Sequence, residues 1–188
     1  MMKYCRPFPH HFDLLVALQN KNLISALNET ERKEGFLSTA FTKEQFQLMD
    51  HLLGIIVCLE NDIVCGYLCA TTIEFNLAFP IPAAMIENCA NLQYKDRPLN
   101  SYQYVVASPS CIDKNYRGKD IFVNLCKKLS AIIPAQYELT VSLVSTKNNT
   151  SLAAVKKIGL KPIQQFVKDG EEFWILVCEL NEFRSIFL

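Results

Sequence analysis

The chain has no surplus of either charge: 19 Lys and Arg balance 19 Asp and Glu. A balanced surface offers no general attraction for nucleic acid or anionic lipid, so a nucleic-acid role is set aside and any anion site must be local. Long apolar runs are lacking too. Residues 52–59 and 63–72 are the most continuous, and Gly or polar residues interrupt both far short of a membrane span. Met1 to Pro7 lacks the unbroken apolar segment of a secretory signal, which points to a cytoplasmic protein. No Pro/Gly/Ser-rich linker, charge run or repeat divides the 188 residues, so one domain is expected.

Half the residues are hydrophobic and a fifth charged, enough for one sizeable core. Eight cysteines are scattered at 5, 58, 65, 69, 89, 111, 126 and 178, mostly inside apolar strand-like segments. That suits reduced core thiols better than a disulfide framework. Cys65 and Cys69, four apart on a predicted strand, should share a face, but no second Cys/His pair has ligand spacing, and no metal is expected. His10 and His11 read as a surface pair at a helix entry.

Helical spacing marks residues 11–20, and residues 23–33 continue in the same manner, with Asn28 and Glu29 as polar interruptions. Thr42 and Gln45 form a capped start for a helix carrying Phe46, Met49 and Leu53. Residues 54–60 and 63–73 read as a hairpin about Asn61-Asp62. Pro80 and Pro82 open a helix over 79–92 with Met85, Ile86 and Cys89 on one face. Residues 101–112 are extended, and Pro109, which has no N–H for a ladder, predicts a bulge or splay there. A helix over 118–133, a strand over 137–144 and a helix over 148–158 stopped by Gly159 follow. Two strands about Asp169-Gly170, 160–168 and 171–180, close the chain. Helices alternating with strands in this order predict an α/β (α+β) fold, a mixed sheet covered by helices.

The segment that carries chemistry is the turn from the 101–112 strand into the 118–133 helix. A strand feeding a helix through Arg117-Gly118-Lys119 aims free helix-start N–H groups at one point, with the positive dipole end behind them. Phosphate is the natural ligand for such a corner, and Arg117 and Lys119 add local positive charge. Downstream, Asn148 with Ser151 three residues later reads as an N-cap.

The order strand, YRGK-type turn, helix, strand, Asn-x-x-Ser helix, Gly and hairpin resembles the GNAT superfamily of acetyl-CoA-dependent N-acetyltransferases, from Gly54 onward. The family's pyrophosphate loop, Gln/Arg-x-x-Gly-x-Gly/Ala, lies over Arg117-Gly118-Lys119-Asp120-Ile121-Phe122. Arg117 fits it, whereas Asp120 and Phe122 stand where small residues belong. The resemblance implies a mostly antiparallel sheet whose fourth and fifth strands run parallel and splay apart, with acetyl-CoA as cosubstrate in the opening. Its pyrophosphate would lie on residues 117–122, and its arm would meet Asn148, Ser151 and the backbone of Cys111 and Ile112. The family's Tyr that protonates the leaving thiolate corresponds to Val155 here, so Tyr104, Cys111 and water are the candidate acids. Cys111 has no base beside it in sequence and reads as a passive thiol.

The implied activity is transfer of an acetyl group to the amine of a small molecule or peptide, by direct attack. Glu74, Glu87 and His51 are candidate bases that read better as solvated or capping residues. A non-catalytic GNAT-like domain that binds acyl-CoA or a protein partner is the second reading, suggested by Asp120, Phe122 and Val155. The apolar segment 74–100 could roof an acceptor pocket or form a homodimer interface.

Overall fold

The computed structural model describes residues 2–185. A short strand β1 (Lys3–Cys5) precedes α1 (His11–Asn22), α2 (Glu29–Arg32) and α3 (Lys43–Leu52). The hairpin β2 (Ile55–Glu60) and β3 (Ile63–Cys69) follows, then α4 (Ile73–Asn76) and α5 (Pro80–Cys89). A small hairpin, β4 (Gln93–Tyr94) and β5 (Arg97–Pro98), leads to β6 (Tyr104–Val106) and β7 (Ser110–Ile112). The chain ends with α6 (Ile121–Ile132), β8 (Leu139–Ser145), α7 (Asn149–Lys157), β9 (Lys161–Lys168), β10 (Glu171–Glu179) and α8 (Leu180–Ser185).

Local chemistry accounts for most of the boundaries. Thr42 and Gln45 close a reciprocal capping box at α3, as their spacing predicts. Asn61 and Asp62 both take positive φ, as does Asp169-Gly170, the turn geometry that matches strand twist. The predicted 23–33 helix breaks, because Asn28 caps α2 in a second capping box with Glu31 and thereby starts a new helix. Only a 3₁₀ turn, Ile24–Ala26, precedes it. Leu180, expected to end the last strand, instead begins α8.

The strands form two four-stranded sheets, β1-β2-β3-β7 and β6-β8-β10-β9. All neighbours are antiparallel except β6 and β8, which run parallel with Tyr104 opposite Leu139 and Val106 opposite Val141. The extended 101–112 segment is thus split between two sheets at Ala107-Ser108-Pro109, where Pro109 predicts a break. Thr71, bonded to Val106 in both directions, ties the sheets together above the split.

Three apolar clusters fill the layers. One packs α6, α7 and α8 on the sheets, with Leu125, Leu129, Val155 and Phe183. A second packs α1 and α3, with Leu15, Phe46 and Met49, on the opposite face of β2 and β3. The third buries Met85, Cys89 and Leu99 against β6, β8 and β10, so the apolar 74–100 segment is largely spent on its own sheet. Cys65 and Cys69 do not share a face: the register shifts opposite Cys58/Leu59, and this bulge puts Cys65 in the first cluster and Cys69 in the second.

Candidate active site

The parting of β7 from β8 leaves backbone groups without a strand partner, and the ladders on either side identify them. Cys69 donates to Pro109 O and Asp113 to Cys65 O, so Pro109, Cys111 and Asp113 turn their peptide groups toward β3. The alternation of an antiparallel ladder then leaves Ser110 and Ile112 facing the gap, with Ile112 O taken by Arg117 Nε at 3.2 Å. The free backbone expected at Cys111 and Ile112 therefore belongs to Ser110 and Ile112. Across the gap, Thr146 donates to Glu172 O and Leu180 to Glu138 O. This phase assigns Ser142 and Val144 to β10 and leaves the N–H and C=O of Leu143 open to the cleft.

Behind the gap stands the start of α6. Its N-cap, Asp120, has a left-handed backbone (φ 54°) and makes no side-chain cap bond. The first N–H groups of a helix have no intrahelical acceptor, so the amides of Ile121, Phe122 and Val123 open into the corner. Asp120 holds the conformation natural to glycine, which the loop pattern has at this position. Gly118 also has positive φ, and a Cβ placed there would meet nothing within 4 Å, so its backbone is open to close approach. Ile121 is buried and Phe122 half-buried against the first cluster, leaving their amides to define the corner.

A cleft of about 390 Å³ runs from this corner through the gap. Cys111, Ile112, Arg117, Gly118, Asp120, Ile121, Phe122, Asn148 and Ser151 all line it. Lys119 and Tyr104 are not among its lining residues. Lys119 reaches back over the ring of Tyr116 instead, at 4.9 Å from its centroid. Tyr104 is 3% exposed in the third cluster, and burial pushes its phenol well above the usual range. It is a core residue, and its position gives it no acid role at the cleft. The Cys111 thiol is pushed up to about 12, mainly by burial, and is neutral at ordinary pH. Glu74, Glu87 and His51 are exposed and lie off the cleft.

A feature without a local sequence signature crosses the mouth. Segment 33–37 is strapped over the starts of α6 and α7. Arg117 donates to Glu34 O at 2.7 Å and to Asn22 Oδ1 at 2.9 Å. Asn148 caps α7 by accepting from Ser151 N and donates its own amide to Phe36 O at 3.0 Å, while Thr150 bonds Lys33 O. Arg117 and Asn148 thus engage peptide carbonyls of the strap.

The described residues bring together one group with the spacing of a metal site, His10, His11 and Asp62. His11 is fully buried, contrary to its reading as a surface residue. Its Nδ1 accepts from Phe8 N at 3.0 Å, which keeps the ring proton on Nε2, 3.1 Å from Asp62 Oδ1. His10 bonds the other carboxylate oxygen, and the two imidazoles hold Asp62 below the usual carboxylate range. Because Nδ1 is spent as an acceptor, Nε2 is a donor to Asp62 and not a free lone pair for a cation. The group is a clamp between the chain start and the β2–β3 turn. Among the described residues no helix is long and apolar enough to cross a membrane, and all eight cysteines are free.

No protein-family model matches the sequence, and no curated protein matches it. Solved structures do match in three dimensions. An N-acetyltransferase of Staphylococcus aureus superposes with a TM-score of 0.66 at 16% identity, over 96% of this chain and 99% of that one. A GNAT-family acetyltransferase of Streptococcus pneumoniae gives 0.62 at 13% identity, over 95% and 99%. A Salmonella typhimurium protein solved with its cofactor acetyl-CoA gives 0.61 at 13%, over 95% and 94%. At such identities the likeness speaks of architecture, and on that evidence the chain has the fold of the GNAT acetyltransferases.

Proposed function

We propose that the protein is an acyl-CoA-dependent N-acyltransferase that binds acetyl-CoA in the cleft between β7 and β8. The observation that carries the proposal is the coincidence of an uncapped helix start with two parted strand edges at one opening. A diphosphate suits the amides of Ile121, Phe122 and Val123, with the dipole of α6 behind them and no side chain on Gly118 in the way. An amide-bearing arm suits the N–H and C=O of Ser110 and Leu143 and the N–H of Ile112, which offer the pairing that a missing strand would supply.

Acetyl-CoA supplies an activated thioester when bound. The protein's part is positioning, with backbone N–H groups at the gap available to stabilise developing negative charge on a carbonyl oxygen. The side of the cleft away from α6 is lined by Phe41, Asn76 and Pro82 and would take the amine of a small molecule or peptide. The strap bonds at Arg117 and Asn148 favour the second reading, a domain that binds acyl-CoA or a partner without turnover.

Calorimetric titration of the whole protein with CoA and with acetyl-CoA tests the reading. Saturable micromolar binding of both is expected, followed by acetyl transfer in a screen of amines. No binding at millimolar ligand would overturn it, and binding without transfer to any amine would establish the second reading.

A further inference from the structure

The cleft does not end where β6 and β8 close. It continues beneath the vertex, between α6 and α7 with β8 as its floor, bordered by Cys126, Leu129, Ile133, Val155, Ile158 and Leu160. Each of these is at most 7% exposed, so the opening reaches into the core and is not a surface groove. Protein interiors leave few voids larger than a water molecule, and an apolar passage of this extent joined to a polar mouth has the character of a ligand pocket. One polar group stands on the wall of the passage. Thr140 lines the passage from the floor, is 1% exposed, and its Oγ1 has no hydrogen-bond partner among the described residues. A buried hydroxyl normally has a partner and methylenes would supply none, so this atom marks open space at the wall, and the apolar lining carries the inference.

We propose that this passage holds an acyl chain longer than acetyl, making the preferred donor a straight-chain acyl-CoA of medium length. The inference rests on the reading of the cleft as an acyl-CoA site and specifies its substrate. An arm lying along β7 toward the vertex places its thioester near Ala107 and Ser142, where the two strands meet and Ser142 Oγ donates to Ala107 O. Carbon atoms beyond the thioester then continue in the same direction, over Thr140. The wall from Cys126 to Ile133 extends about 10 Å along α6. At about 1.2 Å per bond that length accommodates a chain of roughly eight carbons. No polar atom of a saturated chain would be stranded there, and its methylenes would replace empty space with contacts.

The test is calorimetric titration of the full chain with CoA, acetyl-CoA, butanoyl-CoA, hexanoyl-CoA and octanoyl-CoA, all below micelle-forming concentrations. Affinity is expected to rise about fourfold for each methylene buried, up to the length that fills the passage. Binding of CoA with no gain along the series would overturn the chain-length inference and leave the CoA site standing. Failure of CoA itself to bind would overturn the reading beneath it. Ile158→Phe and, separately, Leu160→Phe narrow the far end and should cost octanoyl-CoA at least tenfold while leaving CoA and acetyl-CoA unchanged. A chain-length gain that survives in a variant with intact CoA affinity would place the chain elsewhere and overturn the proposal. The wild-type series decides the matter even if both variants fail to fold.

Discussion

Tyr67 is wholly buried on β3, edge-on to Phe46, and its hydroxyl has no partner among the described residues. An unpartnered hydroxyl in the core costs about 1–3 kcal/mol relative to water, whereas the ring itself is well packed. Tyr67→Phe should therefore stabilise the fold by about 1 kcal/mol, raising the midpoint of thermal unfolding by roughly 2–4 °C. An unchanged or lower midpoint would mean that a buried water serves the hydroxyl. Asp120 calls for a different argument, because its left-handed backbone preserves a glycine's conformation while it brings a carboxylate to the corner proposed for the diphosphate. Asp120→Gly relieves both, so acetyl-CoA should bind about tenfold more tightly, the effect of removing one like charge at partial screening. Equal affinities by calorimetry would show that the carboxylate faces away from the ligand. The sequence discloses the missing glycine at 120 but not the retained conformation, since φ depends on how α6 docks.

Among elements, those legible in the sequence are those whose cause is local. The caps at Thr42 and Asn148 and the turns at Asn61-Asp62 and Asp169-Gly170 are written within four residues. The splay is legible because proline has no N–H to give to a strand on its second side. What depends on distant partners is not: β1 pairs with β2 more than fifty residues away, and the bulge at Cys58/Leu59 reverses the expected faces of β3. The strap over 33–37 belongs to this second kind, held by Arg117, Asn148 and Thr150 from across the chain. Arg117 gives it the firmest hold, with three guanidinium nitrogens bonded to Ile112 O, Glu34 O and Asn22 Oδ1. Arg117→Ala should loosen the strap at a cost of about 2 kcal/mol, and hydrogen exchange in residues 33–37 should speed up markedly ahead of the rest of the fold. Uniform protection in the variant would mean that Asn148 and Thr150 suffice.

At the scale of the whole molecule, a mixed sheet covered by helices is read from element order and its splay from the family resemblance, while the division into two four-stranded sheets and the depth of the passage are not, because they arise from distant packing. The same burial that shapes the core also couples stability to alkali. Burial raises the thiols of Cys89 and Cys111 from 9 to about 12, and those of Cys69 and Cys126 also move up. In the unfolded chain these thiols lose their protons as pH rises through about 9. The folded protein keeps them protonated to higher pH and so binds more protons there, which makes stability fall as pH rises. Below pH 8 both states hold the protons and the thiols confer no pH dependence. Above pH 9 each of Cys89 and Cys111 should contribute a decline of about 1.4 kcal/mol per pH unit until its folded form titrates. Urea midpoints measured under reductant should be level with respect to these groups between pH 7 and 8 and drop steeply by pH 10.5. A midpoint that holds through pH 10.5 would mean that the thiols ionise within the fold, and hence that water reaches Cys89 and Cys111 in the native state.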